Sequence, residues 1–273
     1  SKNIKAFVSW NHIDPAFIPL SVAMRATGGV TLTYQRSYDS MPSNLIATNA
    51  DVYFGFSDTM ANLQRDSGSK IDYYVVTGHF GDHRFDLLKP PAKKSRNDLE
   101  ANGARRILAF FDEGTSDDWK YSNGHHFTQE NYQYILNKVI NEPWLGLVIK
   151  PKIPRTIRQR LGPVAELLKK AEATGRCYLF EGGVGESYQG GDTPAAAALV
   201  ADIAIHGNLI GGSAGIEAAL AGVPTILLDG ERWPVSPLYK LGVGKVVFLD
   251  WDELWDACTQ HWSTADGTPG FGD

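Results

Sequence analysis

The sequence predicts an α/β fold built from two parallel, doubly wound sheets with helices on both sides. Short apolar strands alternate with amphipathic segments of helical spacing along most of the chain. Strands that are so uniformly apolar are typical of parallel sheets buried on both faces. Because crossovers between parallel strands are right-handed, the doubly wound arrangement is the main solution for this pattern. A polar stretch divides the pattern into two domains.

The first domain is expected at residues 1–88 and has the element order β-α-β-β-α-β. Its strands are predicted at residues 4–10, 30–34, 52–56 and 71–76, and its helices begin near residues 14 and 58. Four strands are fewer than such domains usually have, so we expect a reduced or truncated domain. Residues 89–106 are predicted to be a linker, because they contain Pro90-Pro91 and eight charged side chains among eighteen.

The second domain is expected at residues 107–273, where the alternation is clearer. Its strands are predicted at residues 107–111, 145–149, 177–180, 203–206, 225–228 and 245–249. Its helices are predicted at residues 128–141, 164–171, 213–221 and 252–262, with a short helix after Thr193-Pro194. Ligands of such folds bind beyond the carboxyl ends of the strands, so the loops after strands hold the candidate functional residues.

The composition excludes several classes of protein. The net charge is -5 and no long basic run occurs, so a nucleic-acid partner is not expected. No apolar run reaches the length of about 20 residues that a membrane-spanning helix needs, and no signal-peptide pattern opens the chain. We therefore expect a cytoplasmic protein with at most peripheral membrane association. Cys177 and Cys258 lie in apolar segments, which favours two buried free thiols over a disulfide.

A glycine-rich turn follows the strand that ends at residue 206. The turn and the start of the next helix comprise Gly211, Gly212, Ser213 and Ala214. Free backbone N–H groups and the positive end of a helix favour an anion there, and a phosphate suits the site. The alternative is that Ser213 is only an N-cap and the glycines only a tight turn. Glu217, one turn into the helix, can accept hydrogen bonds from a ribose diol.

Three further polar residues end strands near this turn. Lys150 and Lys152 follow one buried strand and can neutralise the charge of a phosphate leaving group, although a solvated strand end explains them equally well. His206 ends the strand that precedes the turn and can hydrogen-bond a phosphate or a base. A structural histidine is the alternative.

The segment from Gly212 to Pro224 resembles the carboxyl-terminal domain of GT-B glycosyltransferases. The shared pattern is Gly-Ser-x-x-x-Glu-Ala-x-x-x-Gly-x-Pro, and residues 107–112, 145–152 and 245–254 resemble bacterial capsule and lipopolysaccharide biosynthesis proteins. The resemblance implies two Rossmann-like domains that face each other across a cleft. It also implies that Gly211, Gly212, Ser213 and Glu217 bind a nucleotide-sugar donor, while the first domain holds a glycan or lipid-linked acceptor. The nucleotide sugar is a substrate, and no cofactor is expected.

A glycosyltransferase that inverts the anomeric centre needs a general base for the acceptor hydroxyl, and such a base usually lies in the first domain. His12 and Asp14 follow the first strand and are the candidates, although Asp14 before Pro15 is also explained as a helix cap. Gln35, Arg36 and His79 follow other strands and are candidates for the acceptor side.

Two acidic motifs are discounted as metal sites. Asp250-Trp251-Asp252 matches the Asp-x-Asp of metal-dependent glycosyltransferases, but Glu253 makes a helix cap the better interpretation. Asp112-Glu113 with Asp117-Asp118, closed by His125-His126, is interpreted as a solvated, mobile loop and a candidate lid. No metal is therefore expected.

The leading hypothesis is a metal-independent glycosyltransferase that acts on a surface polysaccharide or lipid-linked glycan. Two other hypotheses remain open. The first is an enzyme like the UDP-N-acetylglucosamine 2-epimerases, whose turn reads Ser-Gly-Gly where this chain has Gly-Gly-Ser. The second is a non-catalytic nucleotide-binding subunit, which is favoured if the chain lacks a base.

Overall fold

The computed structural model describes residues 4–10, 14–117, 124–181 and 193–273. The chain divides into two compact units. Unit 1 comprises residues 1–80 with 235–237, and unit 2 comprises residues 81–234 and 238–273. The two units each contain one parallel sheet, with four strands in unit 1 and six in unit 2. The α/β class with two parallel sheets is thus confirmed.

The described residues of unit 1 form a sheet in the order β1-β2-β3-β4 and two helices. Its elements are β1 (Ala6–Ser9), α1 (Phe17–Ala26), β2 (Val30–Tyr34), β3 (Asn49–Gly55), α2 (Asp58–Asp66) and β4 (Lys70–Val76). The order never reverses, so the prediction that this sheet is doubly wound is wrong for the described residues. The physical reason is that each new strand is added at the same edge of the sheet. Right-handed crossovers in one direction place their helices on one face only.

The two faces of this sheet differ in their surroundings. On one face, Phe7 packs against Phe17 of α1 with ring centroids 5.9 Å apart, and Tyr53 stacks on Tyr74 at 5.2 Å. On the other face, Val8 is 61% exposed and Tyr73 is 70% exposed. The described helices cover only one face of this sheet, so apolar side chains on the other face are exposed. The sequence pattern predicted that both faces are buried.

Asp39 follows β2, and burial raises its pKa from 3.8 to about 6. The folded chain therefore binds a proton at pH values where the unfolded chain has already lost it, so stability rises as the pH falls from about 6 to about 4. We expect Asp39→Asn to remove this dependence. At about pH 8 it should raise the free energy of unfolding by on the order of 1–3 kcal/mol, measured by urea unfolding across this range. Asp66→Asn, at an exposed position, is the control. Parallel pH profiles for Asp39→Asn and the parent would contradict the assignment.

The predicted linker is instead part of a helix of unit 2. Residues 85–101 form α3 (Phe85–Ala101), in which Leu88, Ala92 and Leu99 are buried. These three side chains have helical spacing and belong to one apolar cluster of unit 2. The polar residues of the segment cover the solvent side of this amphipathic helix. The prediction of a linker at residues 89–106 is therefore wrong, and the boundary between the units lies near residue 80.

Unit 2 has the strand order β10-β9-β8-β5-β6-β7, and all its strand pairs are parallel. Its strands are β5 (Arg106–Phe111), β6 (Leu145–Lys150), β7 (Cys177–Leu179), β8 (Ile203–His206), β9 (Thr225–Leu228) and β10 (Val247–Phe248). The order reverses between β5 and β8. Counted within the unit, this is the Rossmann order 3-2-1-4-5-6, so the doubly wound prediction is confirmed for this unit.

Helices cover both faces of this sheet. After α3 they are α4 (His125–Asn141), α5 (Ile157–Leu161), α6 (Ala165–Ala173), α7 (Pro194–Ala198), α8 (Ser213–Leu220) and α9 (Trp251–Ser263). Along β5, Leu108 and Phe110 join the apolar cluster with α4 and α6, whereas Ala109 and Phe111 join the cluster with α3 and α7. The alternation of side chains along the strand thus builds two cores around one sheet.

Both cysteines are buried and free, as predicted. Burial raises the pKa of the Cys177 thiol to about 12, so this thiol is protonated at neutral pH. Across the described ranges, the structure contains no helix whose length and apolar character would let it cross a membrane.

Candidate functional site

The strand order of unit 2 creates a crevice at the carboxyl edge of its sheet. β5 and β8 are neighbours in the sheet. The chain continues from β5 to β6 on one side of this pair and from β8 to β9 on the other side, so the loops after β5 and β8 diverge. Between these loops lies a cavity of only about 10 Å³, lined by Glu113 and Thr115 after β5, by Gly207 and Asn208 after β8, and by α4. Doubly wound folds bind ligands at this place, so it is the candidate functional site.

Asp112 anchors the loop after β5. Its buried carboxylate accepts hydrogen bonds from the backbone N–H of Lys152 at 2.6 Å and from the hydroxyl of Tyr132 at 3.1 Å. The guanidinium of Arg160 lies 3.4 Å away. Burial raises the pKa of Asp112, while Arg160 and the two hydrogen bonds act against the rise. Asp112 therefore connects the loop after β5 to the loop after β6 and to α4.

Arg160 is the second anchor of the site, and its side chain is only 4% exposed. Besides Asp112, its guanidinium donates to the carbonyl oxygen of Glu113 at 3.3 Å and to the Thr115 hydroxyl at 3.2 Å. It also donates to the carbonyl oxygen of Ile153 at 3.2 Å. The sequence reasoning missed Arg160. No local signal marks it, because Arg158 in the same short helix is half exposed.

Glu113 lies with its carboxylate between a lysine and a histidine side chain. Oε2 contacts the ammonium group of Lys152, and Oε1 lies 3.5 Å from Nε2 of His206. Burial alone would raise the pKa of Glu113, but His206 and Lys152 outweigh it and lower the pKa. The same carboxylate packs against the glycine turn, because a Cβ atom at Gly211 would collide with it. A carboxylate therefore already lies against the turn that was predicted to bind a phosphate.

His206 is fully buried at the end of β8. Its Nδ1 lies 2.5 Å from the carbonyl oxygen of Asn208. Because a carbonyl oxygen only accepts, Nδ1 is the donor of this bond, and Nε2 is left to face Glu113. Asn131 on α4 donates to the carbonyl oxygen of Gly207 at 2.9 Å. These two bonds fix the loop after β8 and the direction of the imidazole ring.

Ser213 does not cap α8, contrary to the alternative interpretation of the glycine turn. Gly212 is the N-cap residue and has no side chain with which to cap the helix, and Ser213 is the first residue of the helix. The N–H of Ser213 donates to Gly211 at 2.5 Å, and Ala214 follows half-buried. Ser213 is thus not an N-cap, and the N–H groups of Gly212 and Ser213 are already bonded within the turn, to Leu209 and Gly211.

Glu217 and Lys150 make other contacts than the sequence suggested. The carboxylate of Glu217 accepts a hydrogen bond from the backbone N–H of Ala195 at 3.1 Å, at the start of α7. This helix begins as predicted, with Thr193 capping it through the N–H of Ala196 at 3.3 Å. The ammonium group of Lys150 donates to the carbonyl oxygen of Pro151 at 3.3 Å. Of the two lysines after β6, Lys152 is the one that contacts Glu113 at the turn.

In unit 1, the predicted acceptor-side residues share one edge of the sheet. Gln35 is buried, donates to the carbonyl oxygen of Ser37 at 2.9 Å and accepts from the N–H of Phe56 at 2.8 Å. The ring of His79 meets that of Phe56 at 5.5 Å. Arg36 is exposed and lies over the ring of Trp10 at 4.7 Å. Gln35 therefore holds two loops together.

The two candidates for a general base have different outcomes. His12 lies outside the described residues. Asp14 is exposed, and its carboxylate accepts from the N–H of Ala16 at 2.8 Å just before α1. This contact is a local turn before the helix rather than an N-cap, since Ala16 is the N-cap residue.

The discounted acidic motifs have mixed outcomes. Asp250 caps α9 by accepting from the N–H of Glu253 at 2.9 Å, as predicted. The expectation of a solvated loop at Asp112-Glu113 is wrong, because both carboxylates are mostly buried and ion-paired. Asp117 is exposed near His125, and Asp118 lies outside the described residues. In the parts of the chain that the structure describes, no three His, Cys, Asp or Glu side chains form a metal-binding group.

Comparisons with known proteins identify no family. No family model matches the sequence, and no curated protein matches it significantly. Among solved structures, the chain is similar to the N-terminal domain of trehalose-6-phosphate phosphatase from Candida albicans, with 13% sequence identity and a TM-score of 0.49. This match covers 93% of the present chain and 60% of that structure's chain. Similarity of this degree leaves the activity of the present chain open.

Proposed function

We propose that this chain is a glycosyltransferase of the GT-B type that binds a nucleotide-sugar donor in unit 2. The observation that carries the proposal is the place of the glycine turn. Gly211 and the start of α8 lie at the reversal of the Rossmann strand order, where doubly wound folds bind nucleotides. Lys152 and His206 supply basic groups beside the same turn.

The charge distribution at the turn supports a phosphate as the ligand. The two basic side chains already contact one oxyanion, the Glu113 carboxylate, which lies against Gly211. A diphosphate offers the same kind of oxygen acceptor with more negative charge. Cations placed at a leaving diphosphate stabilise the charge that develops as the glycosidic bond to the donor breaks. These groups of unit 2 support the proposal of donor binding and departure of the nucleotide.

The proposal assigns the acceptor to unit 1. The acceptor is a surface polysaccharide or a lipid-linked glycan, and its attacking hydroxyl must lose a proton to a general base. The candidates are His12 and Asp14, which follow β1 in the sequence. Arg36 and His79 follow β2 and β4 at one edge of the sheet and are the proposed acceptor contacts.

A thermal-shift screen with UDP, CMP, GDP and their sugars tests donor binding. A ligand present at about 100 times its Kd raises the free energy of unfolding by roughly 2.7 kcal/mol, which gives a clear increase in Tm. We expect one nucleotide class to give this increase and Lys152→Ala to reduce it at the same ligand concentration. Lys169→Ala removes an exposed lysine of α6 and should respond like the parent. A screen in which no nucleotide shifts the parent would contradict donor binding.

A non-catalytic nucleotide-binding subunit is the second candidate function. It is favoured by the contacts of Gln35, whose amide is engaged in holding loops of unit 1. Incubation with the nucleotide sugar that binds separates the candidates. Release of the nucleotide or transfer to a glycan indicates a transferase, and epimerisation of the sugar indicates the epimerase-like alternative. Binding with an unchanged nucleotide sugar in the presence of glycan acceptors supports the subunit.

A further inference from the structure

The Glu113 carboxylate occupies the position at which the proposed function places a donor phosphate. Three contacts define this position, namely Lys152, His206 and the turn at Gly211. Two of them are the basic groups assigned to the phosphate. A carboxylate and a phosphate cannot share this turn, since both are anions and the space beside Gly211 is filled. One of them must leave when the other is present.

We propose that Glu113 is an internal competitor, which closes the anion site of unit 2 until a phosphorylated ligand displaces it. This inference rests on the proposed function. The ligand class is a phosphate ester or diphosphate whose oxygens take over the contacts of the carboxylate. The Lys152 side chain is long and 58% exposed, so it can contact either the carboxylate or a phosphate. Glu113 is 12% exposed, so it borders the solvent into which it can turn.

The anchors of the loop support a movement of this one side chain. The backbone of Glu113 is held by Arg160, which donates to its carbonyl oxygen at 3.3 Å. Asp112, the preceding residue, is tied to Lys152 and Tyr132. The carboxylate of Glu113 can therefore change its rotamer while the loop keeps its path. The groups that contact the carboxylate, Lys152, His206 and Gly211, are then already positioned to contact a phosphate.

Direct binding measurements on charge variants test the proposal. Glu113→Gln keeps the shape of the side chain and removes its charge, and Glu113→Ala removes the occupant as well. Isothermal titration with pyrophosphate, UDP, CMP and GDP gives the Kd of each protein. We expect Glu113→Gln to bind at least about tenfold more tightly than the parent. The neutral amide of glutamine makes a weaker contact with Lys152 than the carboxylate does, so a phosphate displaces it more easily. Glu113→Ala should bind at least as tightly as Glu113→Gln.

A matched control is Glu130→Gln on α4, where the carboxylate is 63% exposed and faces His126. It should bind like the parent. Equal affinities of the parent and both Glu113 variants would overturn the internal competitor while leaving donor binding intact. Weaker binding by Glu113→Gln would show that the carboxylate takes part in binding, which also overturns the proposal. Absence of binding in the parent and in all variants would overturn the proposed function itself.

Discussion

Replacing Arg160 with methionine is expected to lower the free energy of unfolding by about 3–5 kcal/mol, because it leaves Asp112 buried without its counter-charge. Methionine retains most of the length of the side chain, so the charge rather than the volume is tested. Arg160 also supports the carbonyl oxygens of Glu113 and Ile153, and these acceptors lose their donor. Urea unfolding of the variant and the parent measures the loss.

The pH dependence and a second substitution identify the cause of this loss. Burial raises the pKa of Asp112, and the loss of Arg160 should raise it further. A raised pKa in the folded state means that protonation favours folding, so the deficit should shrink as the pH falls through that pKa. Adding Asp112→Asn to Arg160→Met should recover part of the stability at neutral pH, since no unpaired charge remains.

Arg158 provides the control for this experiment. It lies two residues earlier, is half exposed and pairs with Glu172 and Glu181 on the surface. Arg158→Met should cost no more than about 1 kcal/mol, because exposed ion pairs contribute little. Similar losses for the two arginine variants would refute the role of Arg160 as the buried anchor of the site.

Gly272→Ala is expected to destabilise the chain by on the order of 2–4 kcal/mol. Gly272 has a φ of +70°, and a Cβ atom there would lie 2.6 Å from the backbone nitrogen of Thr225. The residue is bonded on both sides, since its N–H donates to Lys245 at 3.0 Å and its carbonyl oxygen accepts from Thr225 at 2.9 Å. The segment cannot move away without breaking these bonds.

Gly270 separates the collision from the backbone strain. Its φ is +72°, nearly the same as that of Gly272, but a Cβ atom there would only meet the side chain of Lys245 at 3.6 Å. Gly270→Ala should therefore cost only about 1–2 kcal/mol, the strain of the left-handed conformation. Thermal and urea unfolding of both variants give the comparison. If Gly272→Ala costs no more than Gly270→Ala, close packing of the chain against Thr225 is not what constrains this position.

The sheet of unit 2 was predictable because its strands are short, apolar and separated by helices with clear caps. Thr193-Pro194 and Asp250 marked two helix starts correctly, because capping is a local interaction between neighbouring residues. The order of strands in unit 1 was not predictable in the same way. Sequence periodicity indicates strands and helices, but it does not indicate on which side of the sheet the next strand is added.

The error at residues 89–106 has a local cause. Pro90-Pro91 is a strong signal for the end of a helix, and the segment is rich in charge. The weaker signal was the spacing of Leu88, Ala92 and Leu99, which form the buried side of α3. Burial of these side chains within unit 2 outweighs the cost of two prolines inside the helix, at its sixth and seventh residues.

The sequence predicted where the candidate site lies, but not all of the residues that form it. The glycine turn, His206 and Lys152 could be found from motif and strand ends. Glu113 and Arg160 could not, because their role depends on contacts between loops that are distant in sequence. A buried ion pair satisfies its charges through tertiary structure, and an acidic residue in a loop otherwise appears solvated. This explains why Glu113 was assigned to an exposed loop.

Backbone amide mapping tests the location of the nucleotide site most directly. Titration of ¹⁵N-labelled protein with the nucleotide that stabilises it reports which amides change their chemical shift. We expect saturable shifts at residues 211–214, at the start of α8, and at residues 113–115, where Glu113 is displaced. Saturable shifts confined to unit 1, or to parts of unit 2 away from the carboxyl edge of β5 and β8, would contradict the site and the function built on it.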